Sequence, residues 1–407
     1  MAATHIQGRR SFDTQSGRII TNILPRMIVI DEDIIAAAFL AFFSRVGTQT
    51  TEQEKFTWDV DEFLSVTDTL SAAASSTTQE TLDVNNPKYF LPNQTWVNKR
   101  TGEVLLIRQV NTSTSQITVT RAVTALNSSG GTAAASMNSG DTLVKQAPAV
   151  SENSTRQGVQ TTTPTEVYNF AQMFRWELSL SDRQIKRRFE TGDELPYQNM
   201  KIMKEARMAL NRALLTGERA RFTDSSGDDV TMTRGMKNVP TTYTWSVGGT
   251  MNEYDWDEFL VEEGLRRGSA NKIVFASTQF ILALSEMTKD RLTYAPTSFG
   301  PFSARVGMDV MEYKAPNGRK VAIVEDRHLS DAWNGMAVGV DMTELKRRVF
   351  SRNGRTGDLH VSLNTQDPDD LGQVNTLYAD MGLQWGPEQH HFLITNVEGG
   401  AKGRAIG

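Results

Sequence analysis

One segment of the chain, residues 195–219, restricts the fold more than any other. Its sequence, LPYQNMKIMKEARMALNRALLTGER, predicts a single long amphipathic helix with Pro196 in the first turn and Gly217 at its end. Apolar residues recur every three or four positions and so share one face: Met203, Ala206, Leu210, Ala213 and Leu214. Many core helices show this pattern, but this one carries no catalytic motif and separates a β-rich region from an α/β region. That position is typical of a structural subunit.

The region before this helix has an unusual composition. Residues 71–170 contain 28 serines and threonines and only 13 charged residues, against 22% charged residues in the whole chain. Short alternating segments predict strands at Tyr89–Leu91, Thr95–Val97, Val104–Val110, Gln116–Thr120 and Thr142–Lys145. Strands this short and this closely spaced indicate a small β-barrel or sandwich, inserted at about residues 80–147. Residues 164–189 predict a further strand pair, formed by Val167–Phe170 and Met173–Leu178.

The region after the helix reads as α/β. Periodicity predicts helices at Asp255–Gly268 and Thr278–Arg291, and a hairpin turning at Asn317-Gly318. Extended segments predict strands at Lys272–Ser277, Met308–Tyr313, Arg319–Glu325, Met336–Asp341, Leu359–Leu363, Gly372–Trp385 and His390–Val397. The terminal glycines Gly399-Gly400 and the tail are expected to be loose.

The N-terminal part combines a basic segment with a short apolar one. Residues 1–30 carry four arginines against one aspartate, a formal charge of +3, whereas the whole chain has a charge of −5. This segment is interpreted either as a solvated tail or as an arm that contacts acidic neighbours, a scaffold or nucleic acid. The run Ile34–Phe43 predicts a short buried helix, since ten residues are about half of what a bilayer requires. The polar N-terminus predicts no secretory signal.

The motifs of common enzyme and metal sites are missing from the sequence. There is no phosphate-binding glycine loop, no nucleophile elbow and no H-E-x-x-H pair. Cysteine is absent, which excludes disulfides, thiolate zinc sites and cysteine nucleophiles. His390 and His391 would point to opposite faces of a strand, and Asp367–Asp370 lacks the spacing of a calcium loop. We therefore predict no catalytic residues, no metal and no cofactor.

Clusters of basic residues are the candidate contact sites. Arg347, Arg348 and Arg352 form one cluster, and Lys186, Arg187 and Arg188 form another beside the long helix. The N-terminal segment adds Arg9, Arg10, Arg18 and Arg26. We interpret these ten residues as inter-subunit or nucleic-acid contacts, the alternative being ordinary solvated loops.

The order of these segments resembles the major capsid protein of tailed bacteriophages, which has the Johnson fold. The resemblance is to a subgroup in which Leu24-Pro25 opens the chain and Lys55–Trp58 begins an extended loop. In that subgroup an inserted stretch resembles Thr101-Gly102-Glu103-Val104 and Thr118-Val119-Thr120-Arg121. The resemblance covers nearly the whole chain.

The resemblance implies an α+β fold with named parts. These are an N-arm (1–50), an extended loop (51–190) with the inserted β-module (about 80–147), a peripheral domain (191–229 and 351–398) with the long helix (195–219) as its spine, an axial α/β domain (230–350) and a C-terminal tail (399–407).

The resemblance also implies a function. A protein of this family self-assembles into hexamers and pentamers that form the icosahedral shell around packaged double-stranded DNA. Expected partners are a separate scaffolding protein, a portal, decoration proteins and the enclosed DNA, without a membrane, and the expected location is the virion after assembly in the host cytoplasm. The alternatives are an encapsulin-like shell protein of the same fold, or an α/β enzyme with its site near the strand ends of residues 272–341.

Overall fold

The computed structural model describes residues 37–125, 130–149, 161–187, 193–269, 272–287, 292–294, 311–351 and 357–401. The chain divides into two compact units. Unit 1 comprises Met1–Trp58 and Tyr168–Gly407, and unit 2 comprises Asp59–Val167. Within the described ranges, no helix combines the length and the apolarity that crossing a bilayer requires.

Unit 2 contains a closed antiparallel β-barrel. Its six strands are β3 (Thr67–Thr69), β4 (Thr81–Asp83), β5 (Gln94–Asn98), β6 (Val104–Asn111), β7 (Gln116–Thr120) and β8 (Thr142–Pro148). They pair in the order β3-β8-β5-β6-β7-β4. A bridge between Leu70 and Val84 joins the two outer strands, and the amide of Ser71 donates to the carbonyl of Asp83 at 3.0 Å. The ring of strands therefore has no open edge at this point, as in a barrel.

Alternation along the strands fills the barrel. Trp96, Leu105, Ile107, Ile117 and Val119 are all at most 1% exposed, because every second residue of β5, β6 and β7 points inward. The predicted strands of this region are confirmed, with one exception. Residues 89–91 are not a strand: a 3₁₀ turn occupies Pro87–Tyr89, since proline fixes its own φ and donates no ladder hydrogen bond.

A buried ion pair joins the strands of unit 2. The guanidinium of Arg121 donates to both carboxylate oxygens of Glu103, at 2.7 and 2.8 Å, and also to the carbonyls of Ser76, Gln79 and Ala135. Glu103 accepts two further bonds, from the amides of Ala122 and Ala135. Each of the two sequence stretches that carry the family resemblance thus supplies one partner of this bidentate contact. Both charges are hydrogen-bonded, as burial requires.

One of the two large sheets of unit 1 has five strands. These are β1 (Thr48–Thr51), β10 (Gln172–Ser181), β19 (Lys346–Phe350), β20 (His360–Ser362) and β21 (Gly372–Gln384). The order is β1-β19-β21-β10, with β20 also on β21. A short helix, α2 (Asp182–Ile185), follows β10 and begins at Ser181, whose side chain accepts a hydrogen bond from the amide of Gln184.

A two-stranded ribbon connects the units along the chain. It consists of β2 (Lys55–Val60) and β9 (Thr165–Phe170). The predicted pairing of residues 167–170 with 173–178 is wrong: β9 pairs with β2, and β10 pairs with β21. Only Ala171 separates β9 from β10, and a single residue is too short for a hairpin turn.

The long helix, α3 (Glu194–Thr216), packs on the five-stranded sheet. It ends at Thr216, three residues before the expected Arg219, and Gly217 is its C-cap, as predicted. Ala206, Leu210 and Leu214 are buried, which confirms the predicted face. Asn211 is also fully buried, and its polar side chain was not expected in this face. A small hairpin, β11 (Ala220–Thr223) and β12 (Asp229–Met232), follows the helix.

The second large sheet of unit 1 has seven strands. They are β13 (Thr244–Asn252), β14 (Lys272–Ala276), β15 (Leu292–Tyr294), β16 (Met311–Lys314), β17 (Lys320–Glu325), β18 (Ala337–Asp341) and β22 (Phe392–Ala401), in the order β13-β22-β18-β14-β17-β16-β15. The helices of this region are α4 (Glu253–Phe259), α5 (Thr278–Met287) and α6 (Arg327–Ala332). Trp256 and Phe259 of α4 and Phe280 and Leu284 of α5 join the core that covers the sheet.

Helix α4 is shorter than predicted because a π-turn, Leu260–Gly264, follows it. The buried ammonium of Lys272 donates to the carbonyl of Gly264 at 2.8 Å, and burial lowers the pKa of Lys272 to about 8. A cation at the C-terminal end of a helix is favourable, because the last carbonyls have no partners within the helix.

The C-terminal glycines are not loose, contrary to expectation. Gly399 and Gly400 lie within β22 and pair with Thr250 and Met251 of β13. A Cβ at Gly400 would lie 1.9 Å from the carbonyl oxygen of Ala283, so the close approach of α5 requires glycine there. Strand β22 belongs to the seven-stranded sheet, whereas β21 belongs to the five-stranded one.

The predicted short apolar helix is α1 (Ala38–Phe43), and it is anchored by residues distant in sequence. Phe39 and Phe42 contact the ring of Phe275 in β14, at centroid distances of 5.1 and 5.7 Å. The amide of Phe39 donates to a carboxylate oxygen of Asp326 (3.1 Å), and the amide of Leu40 donates to the side-chain oxygen of Asn211 (2.8 Å). Asn211 in turn donates to Asp326 at 3.0 Å. The first turn of α1 is thus capped by tertiary contacts, because its own N-cap, Ala37, has no side-chain acceptor.

We expect Arg121→Ala to destabilise unit 2 by about 3–5 kcal/mol, since it leaves the buried carboxylate of Glu103 unpaired. The matched control is Arg108→Ala, which removes an exposed guanidinium bonded to the Thr120 hydroxyl and should cost about 0.5 kcal/mol or less. Urea titration with hydrogen exchange read on peptides of residues 59–167 measures both. Equal stability of the two variants would contradict the assigned role of the ion pair.

The barrel should also lose stability in acid through Asp141. Arg100 donates to this carboxylate at 2.7 and 2.8 Å and, as the largest cause, lowers the pKa of Asp141 from 3.8 to about 2. Because folding lowers the pKa of Asp141, its carboxylate contributes fully to the free energy of unfolding above pH 3.8. This contribution is lost as the pH falls from 3.8 towards 2. The difference in unfolding free energy between wild type and Asp141→Asn should therefore be smaller at about pH 3 than at about pH 6. Arg100→Met should remove most of this pH dependence, and an unchanged difference would contradict the assignment.

Candidate assembly surfaces

The described residues contain no group of three or more histidine, aspartate or glutamate side chains placed to hold a metal ion. The described histidines have structural partners. His390 Nδ1 lies 2.6 Å from Glu344, and His391 Nδ1 accepts a hydrogen bond from the amide of Asp341. Burial lowers the pKa of His391 to about 3, and burial together with Arg212 lowers the pKa of His328 to about 4. His391 and His328 are therefore neutral at physiological pH, and their hydrogen bonds orient the backbone and neighbouring side chains.

The acidic segment near residue 367 forms a turn. The amide of Asp370 donates to the carbonyl of Asp367 at 3.0 Å, and the side chains of Asp367, Asp369 and Asp370 are exposed. The segment is therefore a solvated turn.

Two of the predicted basic contact residues lie at the end of the five-stranded sheet. Lys186 and Arg187 follow α2 and are exposed. Lys186 forms an ion pair with Asp182 one helical turn earlier, and both side chains remain largely exposed. An exposed pair of this kind stabilises the fold little, so Lys186 can exchange Asp182 for a partner on another molecule.

Arg347 and Arg348, by contrast, have partners within their own unit. Arg347 donates to both carboxylate oxygens of Asp358, at 3.1 and 3.0 Å, and to the hydroxyl of Thr48 in the neighbouring strand β1. Arg348 donates to Gln384 at 2.6 Å and lies over the ring of Phe56, and burial lowers its pKa. Both residues join strands of the five-stranded sheet, and a further inter-subunit role for them stays a prediction.

The other predicted contact residues lie outside the described part of the chain. They are Arg9, Arg10, Arg18, Arg26, Arg188 and Arg352.

Large apolar side chains on the surface are candidate contact residues that the sequence analysis missed. The most exposed in unit 2 is Phe63, at 102%, and the most exposed in unit 1 is Leu371, at 89%. Others that are at least 60% exposed are Val66, Met173 and Leu363. Phe63 follows Asp61 and Glu62, and Leu371 follows Asp369 and Asp370, so an apolar residue next to acidic ones was the available signal. The free energy gained by burying an apolar side chain against another molecule rises with the area that is removed from water.

The geometry therefore offers contact surfaces and shows no catalytic centre among the described residues. Exposed apolar residues stand beside charged ones in both units, and the buried polar clusters at Glu103 and Asp326 are internal ion pairs and caps. Such a surface suits association with other protein chains.

Comparison with solved structures bears on the fold. The capsid of an empty GTA particle matches with a TM-score of 0.50 at 10% identity, over 95% of this chain and 99% of that chain. A structure from Mycobacterium phage Bobi has a TM-score of 0.46 at 9% identity, over 94% and 97%. The SrpI encapsulin of Synechococcus elongatus PCC 7942 has a TM-score of 0.35 at 12% identity, over 58% and 78%, which is too low to support an inference. At such identities the GTA match shows the fold alone, and it confirms the predicted α+β capsid (Johnson) fold.

Comparison with protein families gives the identity. None of the curated proteins matches the chain. The family model of the SU10 major capsid protein matches residues 35–398, which is most of the chain. The chain therefore belongs to the SU10 major capsid protein family, and it is a structural subunit of a phage capsid shell rather than an enzyme.

Proposed function

We propose that copies of this capsid protein form hexamers and pentamers, and that these close into an icosahedral shell around packaged double-stranded DNA. The observation that carries the proposal is the family match over residues 35–398. Many contacts to neighbours, each weak alone, permit ordered closure of a shell. The net charge of −5 keeps free subunits soluble and limits non-specific binding to the enclosed DNA.

We further propose a role for each part of the chain. Residues 1–50 act as an N-arm, residues 51–190 as an extended loop with an inserted β-module, residues 191–229 and 351–398 as the peripheral domain, residues 230–350 as the axial domain and residues 399–407 as a tail. The compact unit Asp59–Val167 supports the inserted module. The pairing of β22 with β13 and β18 supports a contribution of the C-terminal strand to the axial sheet as well.

The contacts between copies would use the surfaces described above. Lys186 and Arg187 at the end of the five-stranded sheet are exposed, and so are Phe63 and Leu371. Burial of a fully exposed phenylalanine contributes roughly 1.5–3 kcal/mol, whereas an exposed ion pair contributes about 0–1 kcal/mol. The apolar residues would therefore supply most of the affinity, and the charged residues the register.

The proposed partners beyond other copies are a separate scaffolding protein, a portal, decoration proteins and DNA bound without sequence preference. Assembly would take place in the host cytoplasm, and the absence of cysteine suits a reducing compartment.

The first prediction concerns assembly itself. The purified chain, expressed alone and with its genomic neighbours, should form rings, tubes or closed shells of regular diameter, because its interfaces repeat around every copy. Negative-stain imaging and sedimentation measure this. A discrete monomer or dimer under both conditions would contradict the proposal.

The second prediction concerns the basic arm. Deletion of residues 1–26 removes Arg9, Arg10, Arg18 and Arg26 and should leave soluble subunits that fail to form normal shells. The thermal stability of the truncated subunit, measured alongside, separates a loss of assembly from a loss of folding. Normal shells from the truncated chain, seen in the same imaging experiment, would rule out an assembly role for the arm.

A further inference from the structure

Helix α1 (Ala38–Phe43) follows the basic N-terminal segment along the chain. The amides of Phe39 and Leu40 lie in its first turn, and they bond to Asp326 and Asn211. These acceptors lie 287 and 171 residues away along the chain. The first turn of α1 is thus held by two residues that belong to other elements.

We propose that Asn211 and Asp326 are positioning residues for assembly: by capping α1 they fix the helix to which the basic N-terminal segment is joined. The inference rests on the proposed role of that segment in assembly and adds the contacts that fix its point of attachment. Asn211 belongs to the long helix α3, and Asp326 lies between β17 and α6. The first turn of α1 is therefore tied to elements that belong to both large sheets of unit 1.

The hydrogen bonds make the docking of α1 specific. Asn211 uses its oxygen for the amide of Leu40 and its amino group for Asp326, so it cannot turn around without losing both contacts. Asp326 also accepts from the amide of His328, which caps α6. Both side chains are fully buried. If α1 left its place, a buried amide oxygen and a buried carboxylate would lose partners, and such losses are costly.

Packing contributes the rest of the docking. Phe39, Phe42 and Phe43 are at most 1% exposed, and the first two contact Phe275. On the other side of α1, Val46 is buried and β1 pairs with β19 in parallel. Helix α1 is therefore held at both ends, and the contacts with Asn211 and Asp326 hold its N-terminal end.

The test compares two buried asparagines of unit 1. Asn211→Ala removes the acceptor of Leu40 and the donor to Asp326. Asn169→Ala is the matched control, because Asn169 is equally buried and its side chain bonds to Thr233, Arg234, Phe170 and Leu383 instead. A second variant, Phe42→Ala, weakens the docking of α1 without changing either capping side chain.

Hydrogen exchange on the full-length chain is the local measurement. Exchange at the amides of Phe39 and Leu40 should be about tenfold or more faster in Asn211→Ala and in Phe42→Ala, and unchanged in Asn169→Ala. Unchanged exchange in Asn211→Ala, or equally fast exchange in the control, would overturn the proposal.

Imaging of particles is the functional measurement. Asn211→Ala should form irregular shells, whereas Asn169→Ala of similar thermal stability should form normal ones. Normal shells from a variant with freely exchanging α1 would overturn the positioning role. If the N-terminal segment itself has no role in assembly, the chain that lacks residues 1–26 should form normal shells. That result is distinct from normal shells formed by Asn211→Ala.

Discussion

The buried contact between Asn211 and Asp326 connects parts of unit 1 that lie 115 residues apart in the chain. It joins the long helix α3 to the strand and helix on either side of Asp326, and it supplies both acceptors for the first turn of α1. Burial raises the pKa of Asp326, and the hydrogen bonds from Asn211 and from the amides of Phe39 and His328 oppose that effect. A buried carboxylate without a cation partner is stable here because several N–H groups point at it.

Unit 2 also contains a buried carboxylate, Glu103, but here an arginine stabilises it. Its sequence is rich in serine and threonine and poor in charge, and its hydrophobic core is small. The bidentate contact of Arg121 with Glu103 compensates by binding five backbone groups at Ser76, Gln79, Ala122 and Ala135. Segments without regular structure are thereby fixed to the barrel. A shell protein with such a module can present long connecting segments to neighbours while its internal geometry stays constant.

Features that depend on neighbouring residues in the chain could be predicted from the sequence, whereas features that depend on distant residues could not. The long helix, the strands of the barrel and the hairpin at Asn317-Gly318 follow from periodicity and turn residues, and the structure confirms them. The expected strand at residues 89–91 is wrong because a 3₁₀ turn begins at Pro87. The expected pairing of residues 167–170 with 173–178 is wrong because the partner of a strand is set by residues distant in the chain. Of the predicted contact residues, Lys186 and Arg187 are exposed, whereas Arg347 and Arg348 have partners within the sheet. Periodicity cannot distinguish these cases, since all four are basic residues in polar surroundings.

By itself, the sequence determined the α+β class, the order of the segments, the amphipathic face of α3 and the lack of catalytic motifs, because each depends on neighbours within a few turns or strands. Only the tertiary structure decided which strands pair, why Gly400 must be glycine, and why a polar Asn211 lies in an apolar helix face. Its partners, Leu40 and Asp326, lie 171 and 115 residues away. A hydrogen bond is favourable in a protein interior only where its partner arrives at the right distance and angle, and that arrival is a property of the folded chain as a whole.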